Sequence, residues 1–337
     1  MIVGLGSIGR RHARLARSLV PDSQIAVLRH RGCPDSNEPG IDRCFTNMAA
    51  AIEFRPQIAV IANPASHHLE AALDLARAGV HLLLEKPVAA SVRGVSELLE
   101  VCGARGLILL VGYNLRFMPS LIRFRELLKE RRVGRVLSVR AEVGQYLPSW
   151  RPGSDYRKTV SANAALGGGV LLEVSHEIDY LRWVFGEVEW VSAIQRKQSG
   201  LEIDVEDTAH LLMGFAEEPE TRPVIAALSM DFVRHDTTRN CTAIGETGSL
   251  RWNALAGTVE VFERGADAWE CLFTHQPQRD ESYLAEWRHF LHCISDGGIP
   301  NISGDDGLAV LRIIEAARRS SDTGAVVRLV GEPAWKS

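Results

Sequence analysis

Hydrophobic positions in the first third of the chain form short continuous runs separated by helical patterns. The continuous runs predict strands at Met1–Val3, Gln24–Leu28, Gln57–Ala62, Val80–Leu84 and Leu107–Val111. Helical spacing between them predicts helices at Ile8–Val20, Ser66–Ala78 and Val92–Cys102. Such alternation builds a parallel sheet, and strands that are apolar throughout indicate that both sheet faces are covered.

After about Gly112 the pattern changes to alternating apolar and polar positions. A helix is predicted from Ser120 to about Arg131. Strands are predicted at Val136–Val143, Trp190–Gln195, Thr208–Phe215, Val224–Phe232, Asn240–Gly245 and Val259–Phe262. Two helical patterns follow, Tyr283–Ile294 and Asp305–Ser320. Long alternating strands indicate a large open antiparallel sheet with one wet face.

Composition fits an ordinary two-domain globular protein. The chain has 337 residues, 46% hydrophobic and 24% charged, which is more than one core usually supports. A net charge of −4 argues against a nucleic-acid partner. No run of about 18 apolar residues and no charged leader is present, so we expect no membrane partner and a cytoplasmic location.

The cysteines show no metal or disulfide spacing. The six cysteines are irregularly placed, so we expect reduced thiols. Cys293 lies near His289 and His292, but the tract Glu286–Ile294 fits an amphipathic helix better than a metal site. No metal is predicted.

A glycine-rich turn follows the first strand and opens the first helix. The run Gly4-Leu5-Gly6-Ser7-Ile8-Gly9 has the spacing of dinucleotide-binding turns. Gly4 permits the tight turn, Gly6 lets a pyrophosphate approach, and Gly9 lets helix and strand pack closely. Backbone N–H groups at Ser7 and Ile8 would meet the phosphates. The alternative is a glycine turn without a ligand.

These patterns together predict an α/β chain. Residues 1–114 would form a dinucleotide-binding Rossmann domain around a parallel sheet. Residues 115–337 would form an α+β domain for substrate binding and oligomerisation, built on the large open antiparallel sheet. The last helices could return to the Rossmann domain.

The residues after the second strand favour NADP. About twenty residues after Gly9, where an acidic residue would hold the ribose hydroxyls, the chain has Arg29, His30 and Arg31. An arginine attracts a 2′-phosphate that an aspartate would repel. NADP is therefore favoured and NAD is possible. Alternatively, Arg29 lies on the adenine face, which suits either cofactor.

Glu85-Lys86-Pro87 places two charges at the carboxyl end of a buried strand. Ligands of open α/β sheets bind at such ends. The Lys86 cation could hydrogen-bond a substrate hydroxyl and favour loss of its proton. A Glu85–Lys86 surface pair is the local alternative.

The sequence resembles the glucose–fructose oxidoreductase/inositol dehydrogenase (Gfo/Idh/MocA) family over nearly its whole length. The resemblance rests on Gly4–Gly9, Asn63-Pro64 with His67-His68, Glu85-Lys86-Pro87, Gly112–Phe117, Gly167-Gly168-Gly169 leading to His176-Glu177-Ile178-Asp179, and Gly304–Ser320. It implies the two-domain architecture, a homodimer or homotetramer formed through the C-terminal sheet, and a cis Lys86–Pro87 bond. It also implies that Lys86 and His176 are the catalytic pair. Further cofactor contacts are expected from Asn63, Pro64, His67, Glu85, Lys86 and Asn114.

The tri-glycine segment leads into a candidate catalytic helix. Glu173, His176 and Asp179 follow at i, i+3 and i+6, which places them on one side of a helix. His176 could take the hydroxyl proton while hydride leaves carbon. Asp179 could orient the imidazole or bind a neighbouring hydroxyl.

One position departs from the family pattern. The family commonly has an aspartate four residues before the histidine, where this chain has Leu172. Either one residue is deleted and Glu173 replaces the aspartate, or the carboxylate role has moved. Tyr113, Asn114 and Arg116 stand at the domain junction and could reach the substrate.

A polar and aromatic loop is the remaining substrate candidate. It contains Trp150 and Tyr156, residue types suited to a sugar ring. A plain surface loop is equally compatible. The expected substrate-binding residues are Lys86, Tyr113, Arg116, Trp150, Tyr156, His176 and Asp179.

The predicted activity is hydride transfer between a nicotinamide and a secondary alcohol or ketone of a sugar, cyclitol or nucleotide-linked sugar. The cofactor supplies the chemistry, and the protein supplies placement in a cleft between the two lobes. Alternatives are reduction of a C=N or C=C bond and a dinucleotide-binding sensor without turnover. Lys86 and His176 argue against a sensor, which needs no proton acceptor.

Overall fold

The computed structural model describes residues 1–30, 32–33, 40–216 and 223–329, so Arg31 lies outside the described residues. The chain divides into two compact units. The first unit contains Met1–Tyr113, Ala165–Gly167 and Tyr283–Leu311. The second contains Asn114–Ala164, Gly168–Ser282 and the chain from Arg312.

The first unit is built on a six-stranded parallel sheet of order β3-β2-β1-β4-β5-β6. Its strands are β1 (Ile2–Val3), β2 (Ala26–Leu28), β3 (Arg43–Phe45), β4 (Ile58–Ile61), β5 (His81–Glu85) and β6 (Leu109–Gly112). Its helices are α1 (Ser7–Leu19), α2 (Met48–Glu53), α3 (His68–Arg77) and α4 (Val95–Ala104). Leu82, Leu83 and Leu84 of β5 are all fully buried, as expected of a parallel sheet covered on both faces.

A helix from late in the chain completes the core of the first unit. Helix α8 (Glu281–Asp296) begins at the end of the second unit, and from Tyr283 onward it belongs to the first. Trp287 and Phe290 of α8 pack in one apolar cluster with Leu15 of α1 and Leu83 of β5. Burial of aromatic side chains of this size is a main source of core stability.

The second unit contains a nine-stranded sheet of order β14-β13-β12-β11-β7-β10-β9-β8-β15. Its strands are β7 (Val136–Gly144), β8 (Val188–Arg196), β9 (Thr208–Phe215), β10 (Ile225–Asp231), β11 (Thr238–Gly245), β12 (Gly248–Asn253), β13 (Thr258–Glu263), β14 (Glu270–Thr274) and β15 (Val327–Arg328). The sheet is mixed rather than purely antiparallel, because β7 and β10 pair in parallel. The predicted α/β architecture is otherwise confirmed.

Three helices of the second unit matter for the site. They are α5 (Pro119–Lys129), α6 (Val170–Glu173) and α7 (His176–Phe185). Trp252 of β12 donates from Nε1 to the Ser120 hydroxyl of α5 at 3.0 Å. Tyr180 of α7 packs edge-on against Trp252, with ring centroids 5.2 Å apart. These buried aromatic contacts hold α5 and α7 against the sheet. The last helix, α9 (Gly304–Thr323), runs from the first unit into the second.

The structure bears on two expectations from the sequence, that the cysteines are reduced and that the chain has no membrane-spanning helix. The expectation of reduced thiols is wrong for Cys33 and Cys44, which form a disulfide. The short strand β3 carries Cys44 and pairs with β2. The sequence pattern does not predict this strand, and it therefore gives no reason to place Cys44 beside Cys33. Within the described part of the chain, no helix is long and apolar enough to cross a membrane.

Candidate active site

The three glycines of the turn meet different surroundings. A side chain at Gly4, where φ is +90°, would place Cβ 2.8 Å from the Cα of Asn63. At Gly9 a Cβ would lie 2.1 Å from the Gly4 carbonyl oxygen. Gly6 differs, because its added Cβ would meet no described atom within 4 Å. Gly4 and Gly9 therefore serve the fold, and Gly6 faces open space beside the start of α1, where a phosphate could bind the N–H groups of Ser7 and Ile8.

Arg29 and His30 follow the carboxyl end of β2. The Arg29 backbone N–H donates to the Phe45 carbonyl at 2.9 Å, which continues the pairing of β2 with β3. Arg29 is half-buried and His30 is exposed. At the other end of β2, the Asp42 carboxylate is held by Arg17 at 2.6 Å and by the Ile25 N–H. The position after β2 is thus basic, as the sequence indicated.

A second segment predicted to contact the cofactor follows β4. Asn63 donates from Nδ2 to the His67 carbonyl at 3.2 Å, and Pro64 starts the short 3₁₀ turn that ends at exposed His67. The Oδ1 atom of Asn63 is buried and has no hydrogen-bond partner among the described residues. A buried amide oxygen of this kind is normally satisfied. It is therefore suited to accept a hydrogen bond from a bound nucleotide.

His68 connects this segment to the loop after β5. Its Nδ1 lies 2.8 Å from the Pro87 carbonyl and its Nε2 lies 2.8 Å from the Asn63 carbonyl. Burial lowers the pKa of His68 despite these carbonyls. A neutral imidazole has one N–H, so it donates to only one of them at a time.

Lys86 stands half-buried just beyond β5, and the Lys86–Pro87 bond is cis, as the resemblance implied. The preceding Glu85 turns into the protein and accepts from the Lys86 backbone N–H at 3.2 Å. Its other oxygen lies 2.7 Å from Nε2 of His12 on α1. Burial alone would raise the pKa of Glu85, but the His12 hydrogen bond and nearby Lys86 outweigh it, and the pKa is lowered. Glu85 is therefore an ionised, buried carboxylate.

Sequence reasoning missed His12. It lies on the buried face of α1 with Gly9, Ala13 and Ala16, and the Trp287 indole donates to its Nδ1 at 2.8 Å. A polar residue at helical spacing among small apolar ones was a signal that could have marked it. Its partners lie 73 and 275 residues away, so no local pattern identifies them.

His176 is the first residue of α7 and is half-buried, and Glu173 ends α6. The two helices are separate, so the predicted single helix is wrong and Glu173 does not share a helical face with His176. The Ser161 hydroxyl donates to Glu173 at 2.7 Å. His176 and Asp179 do share the first turn of α7.

Asp179 is held by Arg116. The guanidinium donates from Nε at 2.9 Å and from Nη2 at 2.6 Å, one bond to each carboxylate oxygen. Arg116 and Asp179 are 6% and 0% exposed, so the pair is buried. Such a two-pronged pair fixes geometry strongly. It ties the first turn of α7 to the segment that follows β6.

The remaining predicted residues divide between the units. Tyr113 is fully buried in the first unit. In the second unit, the Asn114 side chain donates to the Ser282 hydroxyl at 2.8 Å. Trp150 and Tyr156 line one small pocket, with Arg151 and Ser161 also in its wall. The structure therefore places both loop aromatics on a concave surface.

Glu206 is a second residue that sequence reasoning missed. Its side chain accepts from the Leu171 N–H at 3.1 Å, and its carbonyl accepts from the Val170 N–H at 3.1 Å. Burial raises the pKa of its carboxyl. Glu206 thus satisfies the first N–H groups of α6 directly after the glycine segment.

The predicted site residues are collected by unit. The first unit holds Gly4, Gly6, Ser7, Ile8, Gly9, Arg29, His30, Asn63, Pro64, His67, Glu85, Lys86 and Tyr113. The second holds Asn114, Arg116, Trp150, Tyr156, Glu173, His176 and Asp179. Lys86 and His176 belong to different units, and their joint action stays a prediction.

Two family models match the chain. One, described as an oxidoreductase family with an NAD-binding Rossmann fold, matches residues 1–113. The other, the GFO/IDH/MocA C-terminal domain, matches residues 121–251. The chain belongs to the Gfo/Idh/MocA family. It is an oxidoreductase with a nicotinamide dinucleotide cofactor.

Relatives cover nearly the whole chain. Myo-inositol 2-dehydrogenase of Thermotoga maritima is 25% identical over 97% of this chain and 97% of its own. A 1,5-anhydro-D-fructose reductase of Ensifer adhaerens is 28% identical over 91% of this chain and 90% of its own. Among solved structures, levoglucosan dehydrogenase in complex with NADH has a TM-score of 0.84 at 20% identity, covering 97% of this chain and 98% of its own. That likeness shows the shared fold.

Proposed function

We propose that the chain oxidises a secondary alcohol of a cyclitol or sugar, or reduces the matching ketone, with Lys86 and His176 handling the proton. The observation that carries this proposal is the first unit's arrangement of an open glycine turn at Gly6 and a lysine at the carboxyl end of β5. Relatives named as inositol dehydrogenases and anhydrofructose reductase support the substrate class.

The nicotinamide, when bound, accepts or supplies the hydride. The chain's own residues then have to bind the hydroxyl, orient it and move its proton. The Lys86 ammonium would donate a hydrogen bond to the hydroxyl oxygen and stabilise negative charge that develops there. The His176 imidazole would take the proton.

The other site residues have supporting parts in this proposal. Asp179 acts through its pair with Arg116, which fixes the turn that presents His176. Glu173, held by Ser161, takes the place of the usual family aspartate near the substrate. Trp150 and Tyr156, which line one small pocket, are the aromatic side chains proposed to contact a sugar ring.

We further propose that NADP is preferred over NAD. Arg29 follows β2 where an acidic ribose-binding residue would stand. A guanidinium at this place would form charge-assisted hydrogen bonds to a 2′-phosphate.

The chain is also proposed to assemble as a homodimer or homotetramer through the nine-stranded sheet. Ile194, Leu212 and Ile225 on three adjacent strands are 59%, 47% and 47% exposed. Apolar side chains grouped on one sheet are typical of an association surface.

Turnover measurements on single variants test the catalytic roles. The substrates are myo-inositol, scyllo-inositol, levoglucosan, 1,5-anhydro-D-fructose and D-xylose, each with NAD or NADP and, for the ketone, the reduced form. We expect Lys86→Met and His176→Ala each to lower kcat at least about 100-fold with cofactor binding retained. The exposed Arg105→Gln serves as the control. Near-normal kcat in either variant would refute the assignment.

Equilibrium titration of cofactor fluorescence tests the NADP proposal. We expect tighter binding of NADPH than of NADH, and a roughly tenfold weaker affinity for NADPH in Arg29→Gln with NADH little changed. The Arg105→Gln variant should leave both dissociation constants unchanged. Equal or tighter binding of NADH by the unmodified chain would defeat the preference.

A further inference from the structure

A line of buried polar groups runs behind Lys86 in the first unit. The Trp287 indole donates to Nδ1 of His12 at 2.8 Å, and Nε2 of His12 lies 2.7 Å from Glu85. Glu85 in turn accepts from the Lys86 N–H at 3.2 Å. His12 is 0%, Trp287 2% and Glu85 7% exposed, so water does not compete for these bonds.

The chemistry of these groups fixes where each proton lies. An indole N–H can only donate, so Nδ1 of His12 must offer its lone pair. The one N–H of the neutral ring is then on Nε2 and points to Glu85. Glu85 must accept at both oxygens, which requires the ionised carboxylate. Because the Trp287 indole can only donate, it determines which atom donates and which accepts in the next hydrogen bond, between His12 and Glu85.

We propose that Trp287, His12 and Glu85 are positioning residues that hold the Lys86 backbone through a one-way hydrogen-bond chain. The inference rests on the proposed function, because it assumes that Lys86 is catalytic. Trp287 sets the tautomer of His12, His12 orients the Glu85 carboxylate, and Glu85 fixes the Lys86 N–H. A displacement of about 1 Å at a reacting group is enough to slow an enzyme up to about 100-fold.

The tautomer makes a specific prediction for Glu85→Gln. The amide is as large as the carboxylate but has one acceptor and one donor. The amide has two possible orientations. In the first, its oxygen accepts from His12 and its NH₂ group faces the Lys86 N–H. In the second, its oxygen faces the Lys86 N–H and its NH₂ group faces the His12 N–H. One pair of donors collides in either orientation. In the first orientation the Lys86 N–H loses its acceptor. In the second it keeps an acceptor, but the side chain loses the His12 hydrogen bond that orients it, so the Lys86 N–H is held less firmly in either case.

Removing the indole donor should undo this conflict. In Trp287→Phe the indole N–H that opposes a proton on Nδ1 of His12 is gone, so the proton can move from Nε2 to Nδ1. Nε2 can then accept from the amide that Glu85→Gln introduces, whose oxygen is free to accept from the Lys86 N–H. The double variant should therefore have a higher kcat and slower Lys86 amide exchange than Glu85→Gln alone. If the two substitutions caused unrelated structural defects, their losses would add instead.

Hydrogen exchange and kinetics on the full chain test the inference. The exchange rate of the Lys86 amide, read from the segment 82–88, needs no substrate. We expect faster exchange and a roughly tenfold lower kcat in Glu85→Gln, with the dissociation constant for NADPH within about twofold. Trp287→Phe/Glu85→Gln should recover most of both losses. Neighbouring Glu286→Gln, another buried carboxyl beside Trp287, is the control and should change neither.

The outcomes separate this inference from the proposed function. Retained turnover in Lys86→Met defeats the proposed function, and the Lys86 amide exchange still tests the hydrogen-bond chain. If Lys86→Met is inactive and Glu85→Gln is as fast as the unmodified chain, the inference alone fails. A double variant whose Lys86 amide exchanges as fast as in Glu85→Gln, or faster, overturns it as well.

Discussion

The two residues proposed to handle the proton each have a buried carboxylate close by in sequence, but the carboxylates are held differently. Asp179, three residues after His176, is bound at both oxygens by the Arg116 guanidinium, at 2.9 and 2.6 Å. Glu85, next to Lys86, is bound at 2.7 Å by an imidazole whose other nitrogen accepts a hydrogen bond. The first charge is neutralised within its pair, and the second is not.

The negative charge of Glu85 affects a second buried carboxyl, that of Glu286. Glu286 on α8 is 0% exposed, and neither of its side-chain oxygens has a hydrogen-bond partner among the described residues. Burial, and then the charge of Glu85, raise the pKa of Glu286 well above its usual range. Burial therefore favours the protonated form of Glu286, whereas the His12 hydrogen bond favours the ionised form of Glu85. The comparison teaches that the carboxylate near His176 is an anchor, whereas the one beside Lys86 adds to the local electrostatic potential.

The largest expected effect tests the anchor. Asp179→Asn leaves the Arg116 cation buried without its counter-charge. Breaking a buried ion pair by removing one partner typically costs about 3–5 kcal/mol. We expect a loss of that size in the free energy of unfolding, measured by urea denaturation.

An exposed pair that reaches the same helix is the control. Arg182 of α7 binds Glu187 with two bonds of 2.6 Å, but the Glu187 side chain is 65% exposed. Glu187→Gln should cost at most about 1 kcal/mol. Similar losses in Asp179→Asn and Glu187→Gln would contradict the distinction between an anchor and a surface pair.

A pH-dependent effect, of opposite sign, tests the charge around Glu85. Because the pKa of Glu286 is raised in the folded state, its neutral form stabilises the fold below the unfolded pKa, and that stability is lost as pH rises toward the folded pKa. Glu286→Gln does not titrate. The free energy of unfolding of Glu286→Gln should therefore rise relative to that of the unmodified chain as the pH rises, by up to about 1.4 kcal/mol per pH unit.

The measurement is urea denaturation between about pH 5 and pH 8, a range in which an unfolded glutamate is ionised. The exposed Glu100→Gln on α4 is the matched control and should show no such trend. A difference between Glu286→Gln and the unmodified chain that stays constant with pH would mean that Glu286 is ionised in the fold. Glu85 and Glu286 would then not differ in protonation state.

The sequence predicted the parts of the fold that rest on local patterns. Continuous apolar runs marked five of the six strands of the parallel sheet, but Arg43-Cys44-Phe45 is too short and too polar at one end to mark β3. The disulfide of Cys44 was missed for the same reason. In the second sheet, Gly248–Asn253 begins with a glycine and a serine, so β12 was not recognised.

The candidate site shows the same limit. The glycine turn and Lys86 could be found because they lie in contiguous motifs. The break between Glu173 and His176 was missed, because helical spacing alone does not register the separate turn at Val174 and Ser175. Trp287 could not be linked to His12 at all, since only the folded chain joins α8 to α1.

The most direct test of the central claim is a crystal structure of the chain with NADPH and a cyclitol bound. We predict that Nζ of Lys86 and a ring nitrogen of His176 both lie within about 3.2 Å of the same hydroxyl oxygen. That hydroxyl would be carried by the carbon that faces the nicotinamide. A bound cyclitol whose reacting hydroxyl contacts neither residue, or only one of them, would contradict the account.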